Sequence, residues 1–122
     1  MKWGQIYDIE DSQKLLYWVL MFVLTPYFDD SIDHWLKDIL KSDGGLSGDP
    51  GWEIEHFSDE NGVDAYRVRA DPNISGIEPS EVVYSEDVTR HAIRESLIAL
   101  GEIFPDRRLE AMQVIQSYGL IM

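Results

Sequence analysis

The sequence predicts an α+β domain in which a small antiparallel sheet of about three strands packs on helices, in the order αα-βββ-αα. Three observations carry that prediction. Apolar residues recur at helical spacing before residue 42 and again after residue 85. Between them, two runs alternate apolar and polar residues, the pattern of half-buried strands. One glycine-rich stretch, Ser42-Asp43-Gly44-Gly45-Leu46-Ser47-Gly48-Asp49-Pro50-Gly51, separates the two regimes and is expected to hold no regular structure.

The first helix is expected from Ser12, its N-cap, to residue 24, with Pro26 as the stop. Its stretch from Leu15 to Leu24 is apolar all round, so it must be buried on most sides. A second helix over residues 30–41, capped by Asp30, shows Ile32, Trp35, Leu36, Ile39 and Leu40 at amphipathic spacing and is expected to cover the first. Residues 52–57 and 63–69 read as a hairpin. Trp52 and Ile54 must share a face with Tyr66 and Val68, and a five-residue loop from Asp59 to Val63 achieves this by pairing Ile54 with Val68 and His56 with Tyr66. That register sets Glu53 and Glu55 opposite Arg69 and Arg67 on the outer face. Asp71-Pro72-Asn73 ends the hairpin, and Val82-Val83-Tyr84 forms a short third strand. Ser85 caps a long helix to residue 104, with Ile93, Leu97, Leu100 and Phe104 on one stripe. Pro105 breaks it, and a last helix over residues 106–118 carries Leu109, Met112, Val114 and Ile115, with Gly119 just past its end.

A chain of 122 residues with 44% apolar content can bury one core, so a single domain is expected. It has no cysteine, which removes disulfides, thiol nucleophiles and Cys-ligated metals and fits a reducing, cytoplasmic setting. Met1-Lys2-Trp3-Gly4 has no basic n-region, and the longest apolar run is ten residues, so neither a signal peptide nor a membrane span is expected. The formal net charge is -13, and it is unevenly spread. Residues 42–89 hold twelve acids against two bases, whereas residues 90–122 are balanced at four each. Such a field repels nucleic acid and anionic lipid and attracts basic partners.

Chemistry-bearing patterns are few. Asp30, His34, Asp38 and Asp87, His91, Glu95 each step by four, which places each triplet on one helix face where a metal-dependent small enzyme would hold its ion. The stronger reading is a solvated face, because Asp30 serves as a cap, Asp87 suits the helix dipole, and His91 and Glu95 lie opposite the apolar stripe. His56 alternates with core residues and reads as a buried histidine more than a general base. Gly45-Leu46-Ser47-Gly48 matches neither a nucleophile elbow nor a P-loop. No catalytic residue, metal or cofactor is assigned, and no enzymatic activity is expected.

The acidic middle is the remaining candidate. Asp43, Asp49, Asp59, Glu60, Asp64, Asp71, Glu78 and Glu81 lie on the hairpin and its flanking loops with no cation beside them in sequence. Loops on a rigid sheet suit recognition, so these eight are the expected partner-binding residues. Reversing Asp59, Glu60 and Asp64 to lysine is expected to weaken partner binding with little effect on melting. Trp52 and Tyr84 are candidate apolar anchors, though each reads first as core.

With these residues in view, the chain resembles the small acidic immunity proteins of bacterial toxin systems, above all those of contact-dependent growth inhibition. The resemblance is one of profile: size, absence of cysteine, acidic loops, and a helical end such as Ser85-Glu86-Asp87-Val88-Thr89-Arg90-His91-Ala92-Ile93. It implies a cytoplasmic toxin inhibitor that binds the basic C-terminal toxin domain of a cognate effector, often a nuclease, with no nucleic acid and no membrane as partner. The other readings are an acidic nucleic-acid mimic or adaptor with several partners, the metal-dependent enzyme above, and a homo-oligomer packing around Trp3 and Trp18.

Overall fold

The computed structural model describes residues 2–25, 31–49 and 51–120. Helix α1 (Lys14–Leu24) follows a 3-10 turn over Asp11–Gln13, and α2 spans Asp33–Leu40. Strands β1 (Gly45–Gly48), β2 (Trp52–Ser58) and β3 (Asp64–Ala70) come next, then the one-turn helix α3 (Pro72–Ser75) and β4 (Glu81–Ser85). Helix α4 (Glu86–Ile103) and, after a 3-10 turn over Pro105–Arg107, α5 (Arg108–Ser117) complete the chain. The class is α+β, with a four-stranded antiparallel meander ordered β1-β2-β3-β4.

The hairpin register is the one demanded by core closure: Ile54 pairs with Val68, His56 with Tyr66, Glu53 with Arg69 and Glu55 with Arg67. The inner face therefore carries Trp52, Ile54, His56, Tyr66, Val68, Ala70 and Tyr84, all buried. Helix α1 lies against this face, contacting β2, β3 and α4, while α2 covers β1 and β2 and α5 packs on α4. As its all-round apolarity requires, α1 buries Leu15, Leu16, Val19, Leu20, Val23 and Leu24 almost completely, each such burial contributing about 1.5–3 kcal/mol.

The fourth strand lies where an irregular stretch was expected. Glycines tell against a strand, yet here their missing side chains are the condition for it. A Cβ on Gly44 would sit 2.0 Å from the Asp38 carbonyl oxygen, and one on Gly48 would sit 2.9 Å from the Trp52 ring. Only a bare backbone can run this close to the end of α2 and to Trp52, and β2 then has a partner on its second edge.

The caps divide. The Ser85 hydroxyl accepts from the Val88 N–H as expected, and Gly119 (φ 62) closes α5 in a Schellman arrangement, with Leu120 N–H donating to the Ile115 carbonyl at 2.9 Å. Ser12 does not cap α1 through its side chain; its carbonyl accepts from the Tyr84 hydroxyl at 2.9 Å. Pro26 and Asp30 lie outside the described residues. At the start of α2, the Ile32 N–H donates to Glu110 Oε2 at 2.8 Å, so a carboxylate from α5 meets the positive end of that helix dipole.

Four apolar residues expected in the core are exposed. Leu109 and Met112 face solvent on α5 and Phe104 is 38% exposed, while Ala111, Val114, Ile115 and Leu120 make the contacts. α5 is the outermost helix and buries one narrow face, which periodicity alone cannot select. Trp35 is likewise exposed, because α2 turns Leu36 and Ile39 inward.

The buried tyrosines give the fold an alkaline limit. Burial pushes the Tyr66 hydroxyl up to about 12 from its ordinary value of 10.0, with Glu86 adding to the rise. Burial raises Tyr17 and Tyr84 as well, and Tyr118 is raised by burial and by its hydrogen bond to Asp33. Because the folded values lie above the unfolded one, the stabilisation is complete below about pH 10 and is lost as pH rises toward about 12. The unfolding free energy is expected to fall through that window by about 1.4 kcal/mol per pH unit on account of Tyr66, and the denaturant midpoint with it. Absorbance of the buried tyrosinates should appear together with unfolding; ionisation of Tyr66 near pH 10 in a still-folded chain would contradict this.

Candidate functional site

The sheet has one covered and one bare face, and it has two ends. β2 is seven residues long, so its ends stand roughly 20 Å apart at about 3.3 Å per residue. The strand registers sort the eight candidate acids between them. Asp43, Asp59, Glu60 and Asp64 lie toward the hairpin-loop end, whereas Asp49, Asp71, Glu78 and Glu81 lie toward the Trp52 end. They form two groups and not one cluster.

Four of the eight have local structural roles, and two of these, Asp59 and Asp71, hold the backbone. The Asp59 carboxylate accepts from the N–H groups of Asn61 (2.8 Å) and Val63 (2.9 Å), tying the hairpin loop. Asp71 accepts from the Asn73 N–H at 2.9 Å and caps α3. Asp64 accepts from the Ser58 hydroxyl at 3.0 Å and lies 3.8 Å from His56 Nε2. Asp43 has a φ of 59, a left-handed conformation that aspartate tolerates better than most side chains. Reversal of Asp59 therefore removes the acceptor of two loop N–H groups as well as the charge.

The other four, Asp49, Glu60, Glu78 and Glu81, are exposed, and no side-chain hydrogen bond or ion pair engages their carboxylates among the described residues. Three of them share the Trp52 end. There, a hollow of about 590 Å³ is lined by Ser47, Asp49, Trp52, Glu53, Arg69 and Asp71, among others. Trp52 forms its floor, 8% exposed, stacked on Phe22 at 6.1 Å and donating from Nε1 to the Asp49 carbonyl at 3.0 Å. Trp52 and Tyr84 are thus core residues, with Trp52 underlying the acidic rim.

The bare face carries rows of opposite charge. Arg69 Nη2 donates to Glu53 Oε1 at 3.0 Å, and Arg67 Nη1 lies 3.5 Å from Glu55 Oε1 with its guanidinium 4.7 Å above the Phe57 ring. Exposed pairs of this kind add at most about 1 kcal/mol each. The glutamates stand on β2 beside β1, and the arginines on β3 beside β4. Sequence pairing located these four residues, but it could not show that β1 lies alongside the glutamates.

His56 is 5% exposed and stacked on Tyr66 at 4.4 Å. Its Nδ1 donates to the Lys41 carbonyl at 2.9 Å, which ties the end of α2 to the sheet, and Nε2 makes no hydrogen bond. Of the two helix triplets, Asp30 lies outside the described residues, His34 packs edge-on against Trp35, and Asp38 lies 3.8 Å from Lys41. His91 Nε2 lies 3.7 Å from Glu95 Oε1. Among the described residues, no three His, Asp or Glu side chains converge as a metal site, and no helix is long and apolar enough to cross a membrane.

Compared with protein-family models, curated proteins and solved structures, the chain matches none.

Proposed function

We propose that this chain is a cytoplasmic binding protein that neutralises a basic cognate partner, in the manner of the small acidic immunity proteins, and that its Trp52 end leads the interaction. The observation that carries this reading is the placement of Asp49, Glu78 and Glu81. Their carboxylates are exposed, have no cation partner among the described residues, and lie toward one end of the sheet, where Asp49 lines a hollow. On a chain of net charge -13, such groups steer a lysine- and arginine-rich surface into contact. A nuclease toxin domain presents such a surface, since it must hold phosphates, and carboxylates that occupy its groove compete with its substrate.

The test is capture from nuclease-treated lysate of the source organism at moderate salt, with the tagged chain as bait. One stoichiometric basic protein, toxic when expressed alone and harmless when co-expressed with this chain, is the expected result. Several unrelated basic partners would favour the nucleic-acid mimic, and no enriched basic protein would sink the reading.

A further inference from the structure

Edge strands natural proteins leave open are normally blunted by lysine, proline, a bulge or an inward charge, because their free backbone groups pair with any extended chain. β1 has none of these over Gly45-Leu46-Ser47-Gly48; its shortness is its one protection. His56 N–H donates to the Gly44 carbonyl at 2.7 Å, so Gly44, Leu46 and Gly48 supply the bonds to β2 by the alternation of an antiparallel ladder. The N–H and C=O groups of Gly45 and Ser47 consequently point outward, and no backbone partner meets them among the described residues.

The side-chain layout selects what can pair there. On the bare face, Gly45 stands opposite Glu55 and Ser47 opposite Glu53. These small residues leave a trough of about 400 Å³ along β1, walled by the two glutamates. Each glutamate uses Oε1 for its arginine; no hydrogen bond engages Oε2. A fifth strand would lie two strand spacings, roughly 10 Å, from β2, a gap that lysine or arginine spans only because Gly45 and Ser47 do not fill it. β4 is the other open edge. A strand added there would meet Val83 and one carboxylate, Glu81, with Arg67 and Arg69 behind them on β3 against a basic segment, whereas β1 fronts two carboxylates.

We infer that β1 receives an extended segment of the basic partner as a fifth strand, with lysine or arginine at two alternate positions over Gly45 and Ser47 reaching Glu55 and Glu53. This rests on the basic-partner reading above and assigns it a docking mode.

The probe is the peptide acetyl-Thr-Lys-Val-Lys-Thr-amide, titrated into the full-length ¹⁵N-labelled chain, with acetyl-Thr-Glu-Val-Glu-Thr-amide as counterpart. The lysine peptide is expected to shift the amides of Gly45 and Ser47, and the glutamate peptide to leave them unmoved. Ser47→Pro removes an outward N–H without breaking the β1–β2 ladder and is expected to weaken binding about tenfold. Gly45→Val fills the trough from a position where a Cβ meets the Ile54 carbonyl at an ordinary 3.4 Å, and it serves if the proline variant fails to fold. Glu53→Gln with Glu55→Gln is expected to weaken binding about fivefold and flatten its salt dependence. No response at Gly45 and Ser47, equal binding of both peptides, or full binding by both edge variants overturns the edge assignment. Shifts confined to residues 59–64 overturn it too but leave the basic-partner reading standing, which falls only if lysate capture yields no basic protein.

Discussion

Gly44→Ala is expected to destabilise the fold by about 3 kcal/mol or more, the upper range for overpacking a closed site. The added methyl would lie 2.0 Å from the Asp38 carbonyl oxygen, 2.8 Å from the Lys41 carbonyl oxygen and 2.9 Å from Lys41 Cγ. Two of these atoms are backbone and cannot step aside by changing rotamer. Gly44 is also bonded on both sides, donating to Lys41 at 2.9 Å and accepting from His56 at 2.7 Å. Any shift therefore loosens the end of α2 and β1 together. Denaturant unfolding monitored by circular dichroism measures the loss, which corresponds to a fall in Tm of about 10 °C or more for a domain of this size. Gly45→Ala is the control, since its Cβ meets nothing closer than 3.4 Å, and a change within about 1 kcal/mol is expected. Equal midpoints for Gly44→Ala and the wild type would mean that β1 does not run past α2 as described. The functional corollary is that the Gly44 variant, where it still folds, loses the docking edge along with β1.

Reversing Asp49, Glu78 and Glu81 to lysine together is expected to slow association with the basic partner by about 10- to 100-fold while leaving Tm nearly unchanged. The three carboxylates hold no backbone group and no cation among the described residues, so surface substitution there costs within about 0.5 kcal/mol each. Stopped-flow association across a salt series separates steering from contact. Wild-type association should fall steeply with ionic strength and the triple variant's should barely move. A variant that associates at the wild-type rate would transfer the steering to the hairpin-loop end. Reversal at Asp59 cannot make that comparison cleanly, because two loop N–H groups lose their acceptor when its carboxylate is removed, at about 1–3 kcal/mol if they stay dry.

The hairpin is where sequence and structure agree most closely, and the reason is a period of two. Slipping β2 against β3 by one residue would put Ile54 on the same face as Arg67 and Arg69, so that either Ile54 or Val68 goes to solvent, and burial leaves one register. Helix α1 was legible for a related reason: an all-apolar helix has no choice of face. α5 shows the limit. Leu109 and Met112 fit an apolar stripe as well as Val114 and Ile115 do, and only the position of α4 decides which pair is covered. The cap of α2 by Glu110 is separated by 78 residues in sequence from the N–H it serves, and no local pattern carries such a signal.

The candidate site was legible as a list and not as an arrangement. The eight acids, the absence of cysteine, the net charge and the α+β class follow from the sequence alone, because they depend on composition and short-range periodicity. Tertiary structure decided that the acids divide between two sheet ends, that Asp59 and Asp71 serve the backbone while Asp49, Glu78 and Glu81 have no side-chain partner among the described residues, and that Gly45–Gly48 form an edge strand. Each of these depends on which backbone approaches which across a long separation in sequence. Glycine gives no side-chain sign of such an approach, since its contribution is the space it leaves empty.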